Sequence, residues 1–437
     1  MADAPPLQIG LAGFGNVGAG VYKNLVRNRA LLKQRTGRDI VVRRIAVRDP
    51  AKPRAHALPP DIVTTRLDDL VEDPEIDIVV ELIGGTDRAL DLVREAIKRD
   101  KTVVTGNKAL LAEHGLELFA LAEAHRTPIY FEAAVAGGIP IIKTVQESLI
   151  GNNIQSIHGI INGTSNYILT RMTEAGLSYG EALDEAQQLG YAEADPALDV
   201  NGWDAAHKAI ILASLSYGCW VKTSDIFVEG IERITGADIL FANQLGYVIK
   251  LLGVIRLLPG TGSIEVRVQP SLVPRDHILA SVKGVYNAIL IHGDVVGETL
   301  FYGPGAGQDP TSSSVIADIA DAAMWEVQAG ERNGGFVTHG LYGNPLPVDE
   351  SVSKYYLRLQ VRDEPGVLAQ IARTLGDHGI GILSVIQPEE HEEESAPIVL
   401  TLHFAAFGVV RAAVGEIASL ECVRALPVLM RVESFTA

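Results

Sequence analysis

One short stretch of the chain, GYAEADPALDVNGWDAAHK at residues 190–208, combines carboxylates with a lysine at helical spacing. Its first half is acidic and irregular, because Pro196 lies between Glu193 and Asp199 and prevents a continuous helix there. A helix is predicted to follow, with Asp199 or Asn201 as its cap. Carboxylates in such a loop could bind the ammonium group of a small substrate.

The predicted helix carries Asp204 and Lys208 one turn apart on the same face, and it becomes apolar after the lysine. We therefore expect Lys208 where a buried helix meets the acidic loop. An ammonium group there can protonate an oxygen that gains negative charge during a reaction. A surface ion pair is the alternative interpretation of Asp204 and Lys208 taken alone. The neighbouring carboxylates and the cofactor motif described next favour a catalytic site.

A glycine motif near the start of the chain predicts a nucleotide-binding domain. A short apolar strand at residues 7–12 leads directly into Gly13-Phe14-Gly15-Asn16-Val17-Gly18, and a helix follows. In this GxGxxG context the first glycine permits the tight turn and the second lets the backbone approach a pyrophosphate. The third allows close packing of helix against strand, and the free N–H groups of the helix start bind the phosphates. A glycine turn selected only for packing is the alternative.

The ends of the next strands supply further candidate ligands. The strand at residues 40–47 ends at Arg48, where an enzyme that uses NAD usually has an acidic residue for the ribose 2′-hydroxyl. Arg48 instead predicts a preference for the 2′-phosphate of NADP, with NAD and a solvated basic loop as alternatives. Strands at 77–82 and 102–105 lead to Gly84 and to the Thr105–Lys108 turn, which we place at the ligand-binding edge of a doubly wound parallel sheet.

Composition sets broader limits. The chain has 437 residues, 47% hydrophobic and 21% charged, which is typical of a globular protein of two or three domains. Its formal charge of −17 argues against nucleic acid or an anionic membrane as partner. Two distant cysteines provide neither a disulfide framework nor a zinc site. With no signal-peptide pattern and no apolar run long enough to span a bilayer, we expect a cytoplasmic protein.

Two polar turns in the middle of the chain are further candidates. Glu132 precedes the glycine pair of AAVAGGIP, whose backbone carbonyls could face a cation together with the Glu132 carboxylate, although a packing turn is the alternative. The turn NGTSNY then offers Asn162 and Thr164 as donors to a small polar ligand.

Four segments together resemble the homoserine dehydrogenase family: VTGNKALLAEHG, EAAVAGGIPII, GIINGTSNYILTRM and LGYAEADPALDVNGWDAAHKAIILASLSYG. The similarity covers about the first 330 residues in order. It implies the reversible reduction of L-aspartate 4-semialdehyde to L-homoserine with NAD(P)H, on the branch leading to threonine, methionine and isoleucine. No kinase segment precedes these motifs, so we expect a monofunctional enzyme. A homodimer or homotetramer is the expected assembly.

The resemblance also implies roles for particular residues. Glu193 would bind the amino group of homoserine, Lys208 would donate the proton, and Asp199 and Asp204 would line the site together with Asn162 and Thr164. Lys108 would lie between nicotinamide and substrate, which leaves open which of the two lysines delivers the proton. A sodium or potassium ion would be held, mainly by main-chain oxygens, at Glu132, Val135, Gly137 and Ile139.

Beyond residue 230 the sequence predicts a helix over 236–250 and then strands at 251–257, 263–272, 285–292 and 298–302. The turn YGPGAG at residues 302–307 opens a helix predicted for 309–328. In the family the chain returns here to the cofactor domain, so Gly305 and Gly307 are expected to contact the cofactor, with a plain helix-start turn as the alternative. The prolines of residues 341–352 then predict a linker.

The last part of the chain has the strand and helix order βαββαβ, which is the ferredoxin-like pattern. With VRDEPGVLAQIARTLGDHGIGILSV it resembles an ACT domain, a module that binds small amino acids. Asp363, Gly366 and Val367 would grip the effector, which we expect to be threonine acting as a feedback inhibitor. Gly381 stands where Ser or Asn is expected, so one side-chain hydrogen bond to the effector would be missing. The acidic loop at 389–394 is predicted to be a solvated tip.

The expected architecture is therefore α/β, in three domains. A Rossmann-type cofactor domain at 1–134, completed by 305–340, precedes an α+β substrate and dimerisation domain at 135–304. The linker and an ACT domain at 353–437 follow. The alternative functions are another NADP-linked amino-acid dehydrogenase, or a non-catalytic amino-acid sensor. The presence of both Glu193 and Lys208 argues against each.

Overall fold

The structure, a computed structural model, describes residues 5–54, 56–328, 336, 338–388 and 395–435. The acidic loop predicted at 389–394 lies outside these residues. The strands are β1 (Leu7–Ala12), β2 (Ile40–Ala46), β3 (Val63–Thr64), β4 (Ile78–Glu81), β5 (Thr102–Thr105), β6 (Ile129–Tyr130), β7 (Ile154–Ile160), β8 (Phe227–Val228), β9 (Tyr247–Leu257), β10 (Ile264–Pro274), β11 (Tyr286–Gly293), β12 (Gly297–Pro304), β13 (Val352–Val361), β14 (Ile382–Ile386), β15 (Ala396–Ala406) and β16 (Val428–Val432).

The helices alternate with the first strands and are more widely spaced later in the chain. They are α1 (Asn16–Arg27), α2 (Arg29–Thr36), α3 (Asp68–Glu72), α4 (Asp87–Lys98), α5 (Lys108–His125), α6 (Ile141–Lys143), α7 (Gly163–Ala175), α8 (Tyr179–Gln188), α9 (Ala197–Val200), α10 (Trp203–Tyr217), α11 (Gly236–Gln244), α12 (Gln308–Gln328), α13 (Val367–Asp377) and α14 (Phe407–Ala418). Within the described part of the chain, none is both long and apolar enough to cross a membrane.

The chain divides into two compact units. Unit 1 comprises the residues up to Ile154, His207–Thr223 and Gly293–Tyr342, and unit 2 comprises Gln155–Ala206, Ser224–His292 and the residues from Gly343 onward.

Unit 1 contains a parallel sheet in the strand order β3-β2-β1-β4-β5-β6. This order reverses between β1 and β4, as in doubly wound dinucleotide-binding domains, and ligands bind at such a switch point. The central strands are buried apolar runs, as strands covered on both faces by helices must be. Helix α12 packs against α1 and adds Val315 and Ile319 to the core of this unit. The predicted Rossmann sheet is confirmed.

Unit 2 contains a mixed sheet in which the strands follow the order β11-β7-β9-β10-β16-β13-β15-β14, with β8 beside β10. The C-terminal elements β13, α13, β14, β15, α14 and β16 give the predicted βαββαβ order. Strand β16 joins them to the rest of the sheet, because it pairs antiparallel with β13 and parallel with β10. The segment after Gly343 is also tied to β10, since Leu346 donates its backbone N–H to the carbonyl of Ile264 over 2.7 Å.

One predicted element is wrong in its extent. The sequence of residues 236–250 favours a continuous helix, but α11 ends at Gln244 and β9 begins at Tyr247. The cause is Gly246, whose φ of +85° lies in the left-handed region that stops a helix. The apolar residues after it satisfy a strand as well as a helix, and pairing with β10 along the whole of β9 decides the outcome.

Candidate active site

The glycine turn between β1 and α1 has the geometry that its motif predicts. A Cβ on Gly13 would lie 2.6 Å from the carbonyl oxygen of Leu82, and one on Gly18 would lie 2.2 Å from that of Gly13. Both positions therefore exclude any side chain. At Gly15 a Cβ would meet no heavy atom within 4 Å, so the backbone there borders open space. Gly15 also stands at the start of α1, where unpaired N–H groups attract phosphate.

A cleft of about 740 Å³ lies beside this turn, and its size suits a nucleotide cofactor. Of the predicted cofactor residues, Gly13, Phe14, Gly15, Asn16, Arg48 and Gly84 line it. Val17 instead packs against the core of unit 1. The exposed Arg48 and Lys52 place positive charge at the rim. Arg54 also lines the cleft, and its guanidinium donates to the carbonyl oxygens of Asp49 (2.6 Å) and Lys52 (2.7 Å), which holds the basic loop in a compact turn.

The carboxyl ends of β4 and β5 form the next wall. Thr105 is fully buried, and its hydroxyl donates a 2.6 Å hydrogen bond to the carboxylate of Glu81. Asn107 caps helix α5 by accepting from the backbone N–H of Leu110, and its side-chain amide donates to the carbonyl of Gly85 over 2.7 Å. Lys108, the first residue of α5, is half-buried.

Helix α12 returns the chain to this region, as the resemblance implies. Gln308 lines the cleft and donates from Nε2 to the carbonyl of Asn16 over 3.1 Å. Gly307 has a φ of +125°, in the region that favours glycine. Gly305 packs closely on the Glu132 turn, because a Cβ on Gly137 would lie 2.5 Å from the Gly305 carbonyl oxygen.

The turn at Glu132 is buried and rich in charge. Each Glu132 carboxylate oxygen accepts a backbone N–H at 2.9 Å, from Ile142 and from Lys143. The backbone N–H of Glu132 donates to the carboxylate of Asp318, also over 2.9 Å. Burial raises the pKa of Glu132 and of Asp318, despite the ammonium of Lys143 nearby.

The other predicted cation ligands lie in the same turn. Val135 and Ile139 are buried, and the carbonyl of Gly137 accepts the hydroxyl of Ser314 at 2.5 Å. No group of three His, Cys, Asp or Glu side chains within the described ranges could hold a metal ion. A cation here would therefore depend on main-chain oxygens and the Glu132 carboxylate.

In unit 2, Asn162 brings together two of the predicted substrate-site carboxylates. Its side-chain Nδ2 donates to Asp199 over 2.7 Å and to Asp204 over 2.8 Å, while its Oδ1 caps α7 by accepting the backbone N–H of Ser165. The hydroxyl of Ser165 donates to the carbonyl of Asp199, which fixes the loop from a second direction.

The acidic loop before this cluster is open to solvent. Glu193 is exposed, and Thr164 donates its hydroxyl to the carbonyl of Tyr191 over 2.7 Å. Short helix α9 carries Asp199, and Asn201 accepts the backbone N–H of Trp203, which begins α10. Gly202 lies between Asn201 and the first residue of α10, so Asn201 forms a turn before the helix and neither predicted residue occupies the cap position itself.

Lys208 lies one turn after Asp204 in α10 and is buried, with 9% of its surface exposed. Asp204 is similarly buried at 8%. Residues 209–213, which follow Lys208, are apolar and buried, as predicted, whereas Leu215, nearer the end of α10, is partly exposed. The lysine therefore does not face bulk solvent.

The predicted effector loop follows β13. Gly366 has a φ of +93° and precedes Val367, the first residue of α13. Gln387 donates to the Asp363 carboxylate over 3.4 Å. At Gly381 a Cβ would lie 2.9 Å from the ring of the exposed His403, so a Ser or Asn there would require the imidazole to move.

Three residues at these sites were not singled out from the sequence. Glu81 and Asp318 are buried carboxylates, and Gln308 reaches the glycine turn. The only signal for Glu81 was a carboxylate at the end of an apolar strand, three residues before a pair of glycines. Asp318 accepts from Glu132, 186 residues away, and Gln308 donates to Asn16, 292 residues away, and no local pattern shows such contacts.

The chain matches three family models. Residues 13–132 match "Homoserine dehydrogenase, NAD binding domain", residues 140–320 match "Homoserine dehydrogenase", and residues 355–422 match "ACT domain". The homoserine dehydrogenase of Pseudomonas aeruginosa is 45% identical over 434 residues, which cover 98% of this chain and 99% of the relative. That of Bacillus subtilis is 40% identical and covers 91% of each.

Solved structures agree with the sequence matches. The crystal structure of a homoserine dehydrogenase from Thiobacillus denitrificans has a TM-score of 0.92 at 44% identity and covers 98% of both chains. A hyperthermophilic archaeal homoserine dehydrogenase in complex with NADPH has a TM-score of 0.61 at 27% identity, covering 75% of this chain and 99% of the other.

Proposed function

The chain belongs to the homoserine dehydrogenase family, an oxidoreductase family of amino-acid biosynthesis, and on that premise we propose how its residues carry out the reaction. The substrate pair is L-aspartate 4-semialdehyde and L-homoserine. The observation that carries the proposal is the Asn162 bridge, which fixes Asp199 and Asp204 at the start of the helix bearing Lys208. The alternatives, another amino-acid dehydrogenase or a sensor without activity, provide no reason for that arrangement.

Different residues bind the substrate and donate the proton. The exposed carboxylate of Glu193 binds the substrate ammonium, and the Asn162 cluster lines the site. The nicotinamide cofactor, which the cleft at the glycine turn would bind, would supply the hydride that the aldehyde carbon accepts. The aldehyde oxygen then gains negative charge, and the ammonium of Lys208 stabilises and protonates it. Lys108, at the start of α5, is the other candidate donor.

We propose that NADPH is preferred to NADH. Arg48 and Lys52 at the rim of the cleft supply the positive charge that a 2′-phosphate requires, and the acidic residue that usually selects NAD is replaced by Arg48. Absorbance at the nicotinamide band, with L-homoserine and first NADP and then NAD, tests both the reaction and the preference. We expect turnover with either cofactor and a higher kcat/KM with NADP. A tenfold preference for NAD would show that Arg48 does not select NADP.

A sodium or potassium ion is proposed at the Glu132 turn. Glu132 and Asp318 are both buried carboxyl groups, and Lys143, which lies 3.9 Å from Asp318, also pairs with Asp321, so carboxyl groups exceed ammonium groups there. A monovalent cation on Glu132 and the main-chain oxygens near Val135, Gly137 and Ile139 would offset this excess. Its structural effect is measurable as a rise in Tm on adding NaCl or KCl beyond that produced by choline chloride.

We further propose feedback inhibition by threonine through the ACT domain, with Asp363, Gly366 and Val367 at the effector. Inhibition requires coupling between the effector and substrate sites, typically ~1–3 kcal/mol. Two ionic contacts within unit 2, one partly buried and one buried, support such coupling. Arg358 of β13 donates to Asp238 of α11 over 2.6 Å, and Arg267 of β10 donates to Glu433, just after β16, over 2.9 Å.

Asp238 and Arg267 are buried, so deletion of the ACT domain would leave each without its ionic partner in that domain. It would also remove the effector site. A point variant is the sharper test. We expect Asp363→Ala to keep basal turnover and to raise the threonine concentration for half-inhibition at least tenfold, with Asp377→Ala as an exposed control on α13. A wild-type enzyme that ignores millimolar threonine would disprove the regulatory proposal. A cytoplasmic homodimer or homotetramer is the proposed working form.

A further inference from the structure

Glu81 is the one carboxylate at the end of β4, and it is fully buried. Its Oε1 accepts the backbone N–H groups of Ile83 at 2.9 Å and Gly84 at 3.3 Å, and its Oε2 accepts the hydroxyl of Thr105 at 2.6 Å. One side chain therefore joins the turn after β4 to the end of β5, on the edge of the sheet where the cofactor cleft opens.

The direction of these hydrogen bonds continues beyond Thr105. The Thr105 oxygen accepts the backbone N–H of Asn107 at 3.0 Å, so its single hydrogen is left to donate to Glu81. Asn107 in turn donates to the carbonyl of Gly85 and caps α5. The result is a closed network that returns from Glu81, through Thr105 and Asn107, to the same glycine turn.

The turn requires such support. Gly84 and Gly85 have φ angles of +68° and +74°, both are exposed, and a Cβ on either would meet no heavy atom within 4 Å. Glycine populates many backbone conformations, and without side-chain contacts the hydrogen bonds must select one. Both residues line the cofactor cleft.

We propose that Glu81 is a positioning residue whose carboxylate sets the conformation of the glycine turn 83–85 and, through Thr105 and Asn107, the start of helix α5 with Lys108. The proposal rests on the assignment of the cleft to the nicotinamide cofactor. Packing alone does not account for Glu81, because Ile78, Val79 and Val80 of the same strand are apolar and buried. Burial of a carboxylate costs free energy unless hydrogen bonds compensate for the lost water. Burial raises the pKa of Glu81, which reflects this cost.

Two substitutions break the network at the same link without changing side-chain size. Glu81→Gln keeps one oxygen for Ile83 and Gly84 but replaces the acceptor of the Thr105 hydroxyl by an N–H group. Thr105→Val removes the hydroxyl itself. Because each disrupts the hydrogen bond between the same two side chains, the double variant should be no worse than the more damaged single variant. Thr105→Ser restores a hydroxyl and should be clearly more active than Thr105→Val.

The measurements are the Kd of NADPH by fluorescence titration, kcat and KM for L-homoserine, and Tm for each variant. We expect a loss of about tenfold or more in cofactor affinity, kcat or both, with little change in the KM of homoserine. Glu95→Gln, which removes the same charge from the exposed face of α4, is the matched control and should behave as wild type.

Folded variants of Glu81 and Thr105 with Kd and kcat within twofold of wild type would overturn the proposal, and a lowered Tm alone would show a purely structural role. If Glu81→Gln does not fold, Thr105→Val and Thr105→Ser decide the question. Lack of wild-type turnover with homoserine would refute the proposed function separately, and the NADPH titration would still test Glu81.

Discussion

The side-chain amide of Asn162 donates to the carboxylate of Asp204 over 2.8 Å, and so joins the cap of α7 to the first turn of α10. The same nitrogen donates to Asp199. Two carboxylates near one small site repel each other unless a donor lies between them, and Asn162 is that donor. The position of the acidic side chains before Lys208 therefore depends on an amide 46 residues earlier in the chain.

Replacement of Asn162 by Asp tests this dependence. Aspartate also caps helices well, so α7 should persist, but a third carboxylate would replace the bridging donor. We expect kcat/KM for homoserine to fall by roughly 10- to 100-fold while the Kd of NADPH stays unchanged. Asn153→Asp, which creates a similar clash with Asp294 at an exposed site, should leave the kinetics unaltered. Equal kinetics for wild type and Asn162→Asp would contradict the bridging role.

Glu193→Gln tests the binding of the substrate ammonium. Loss of the charge should raise KM for homoserine by roughly 10- to 100-fold, because a hydrogen bond to a charged group contributes about 1.5–3 kcal/mol. Steady-state kinetics measures the effect, with Asp184→Asn on α8 as an exposed acidic control. An unchanged KM would show that Glu193 does not bind the substrate ammonium.

Arg48→Ala tests the selection of the cofactor. Removing the guanidinium should lower kcat/KM for NADP about tenfold and leave that for NAD nearly constant, because only NADP carries the 2′-phosphate. The ratio of the two values is the readout, and Arg66→Ala, an exposed arginine after β3, is the control. Equal losses with both cofactors would show that Arg48 does not recognise the 2′-phosphate.

Glu433→Gln tests the buried ion pair with Arg267. Both residues are at least 96% buried, so the variant leaves a guanidinium inside unit 2 without its main partner. We expect a loss of about 3–5 kcal/mol in the free energy of unfolding, measured by urea denaturation. Glu421→Gln, an exposed change in the same domain, should cost less than about 0.5 kcal/mol. A similarly small loss at Glu433 would contradict the argument.

The same pair predicts a pH dependence. Burial opposes the charged form of Glu433, but the attraction of Arg267 prevails and lowers the pKa of Glu433 to about 2. A carboxyl with a depressed folded pKa contributes stability above its unfolded pKa, near 4.5, and loses it as pH falls towards 2. The stability difference between wild type and Glu433→Gln should therefore shrink between about pH 5 and pH 2. A constant difference would show that Glu433 is not ionised in the fold.

Local patterns predicted the elements whose causes are local. The GxGxxG turn predicted β1 and α1, because a side chain at Gly13 or Gly18 would collide with the backbone. The helix predicted over residues 236–250 was wrong, since apolar residues after Gly246 fit two periodicities and only pairing with β10 selects the strand.

Long-range contacts could not be predicted from the sequence. Arg267 and Glu433 are 166 residues apart, and nothing near either one indicates its partner. Glu81 looked like the polar end of a strand, and its significance depends on Thr105, which belongs to the next strand of the sheet. The acidic loop before Lys208 was located from composition, but its organisation by Asn162 required the fold.

The most direct measurement is the turnover of Lys208→Ala with saturating aspartate semialdehyde and NADPH, together with the Kd of NADPH. If the Lys208 ammonium donates the proton, kcat should fall by about 10²- to 10⁴-fold while the Kd remains that of wild type. Lys98→Ala, at an exposed site on α4, should show neither change. Turnover of Lys208→Ala within a few fold of wild type would contradict the account.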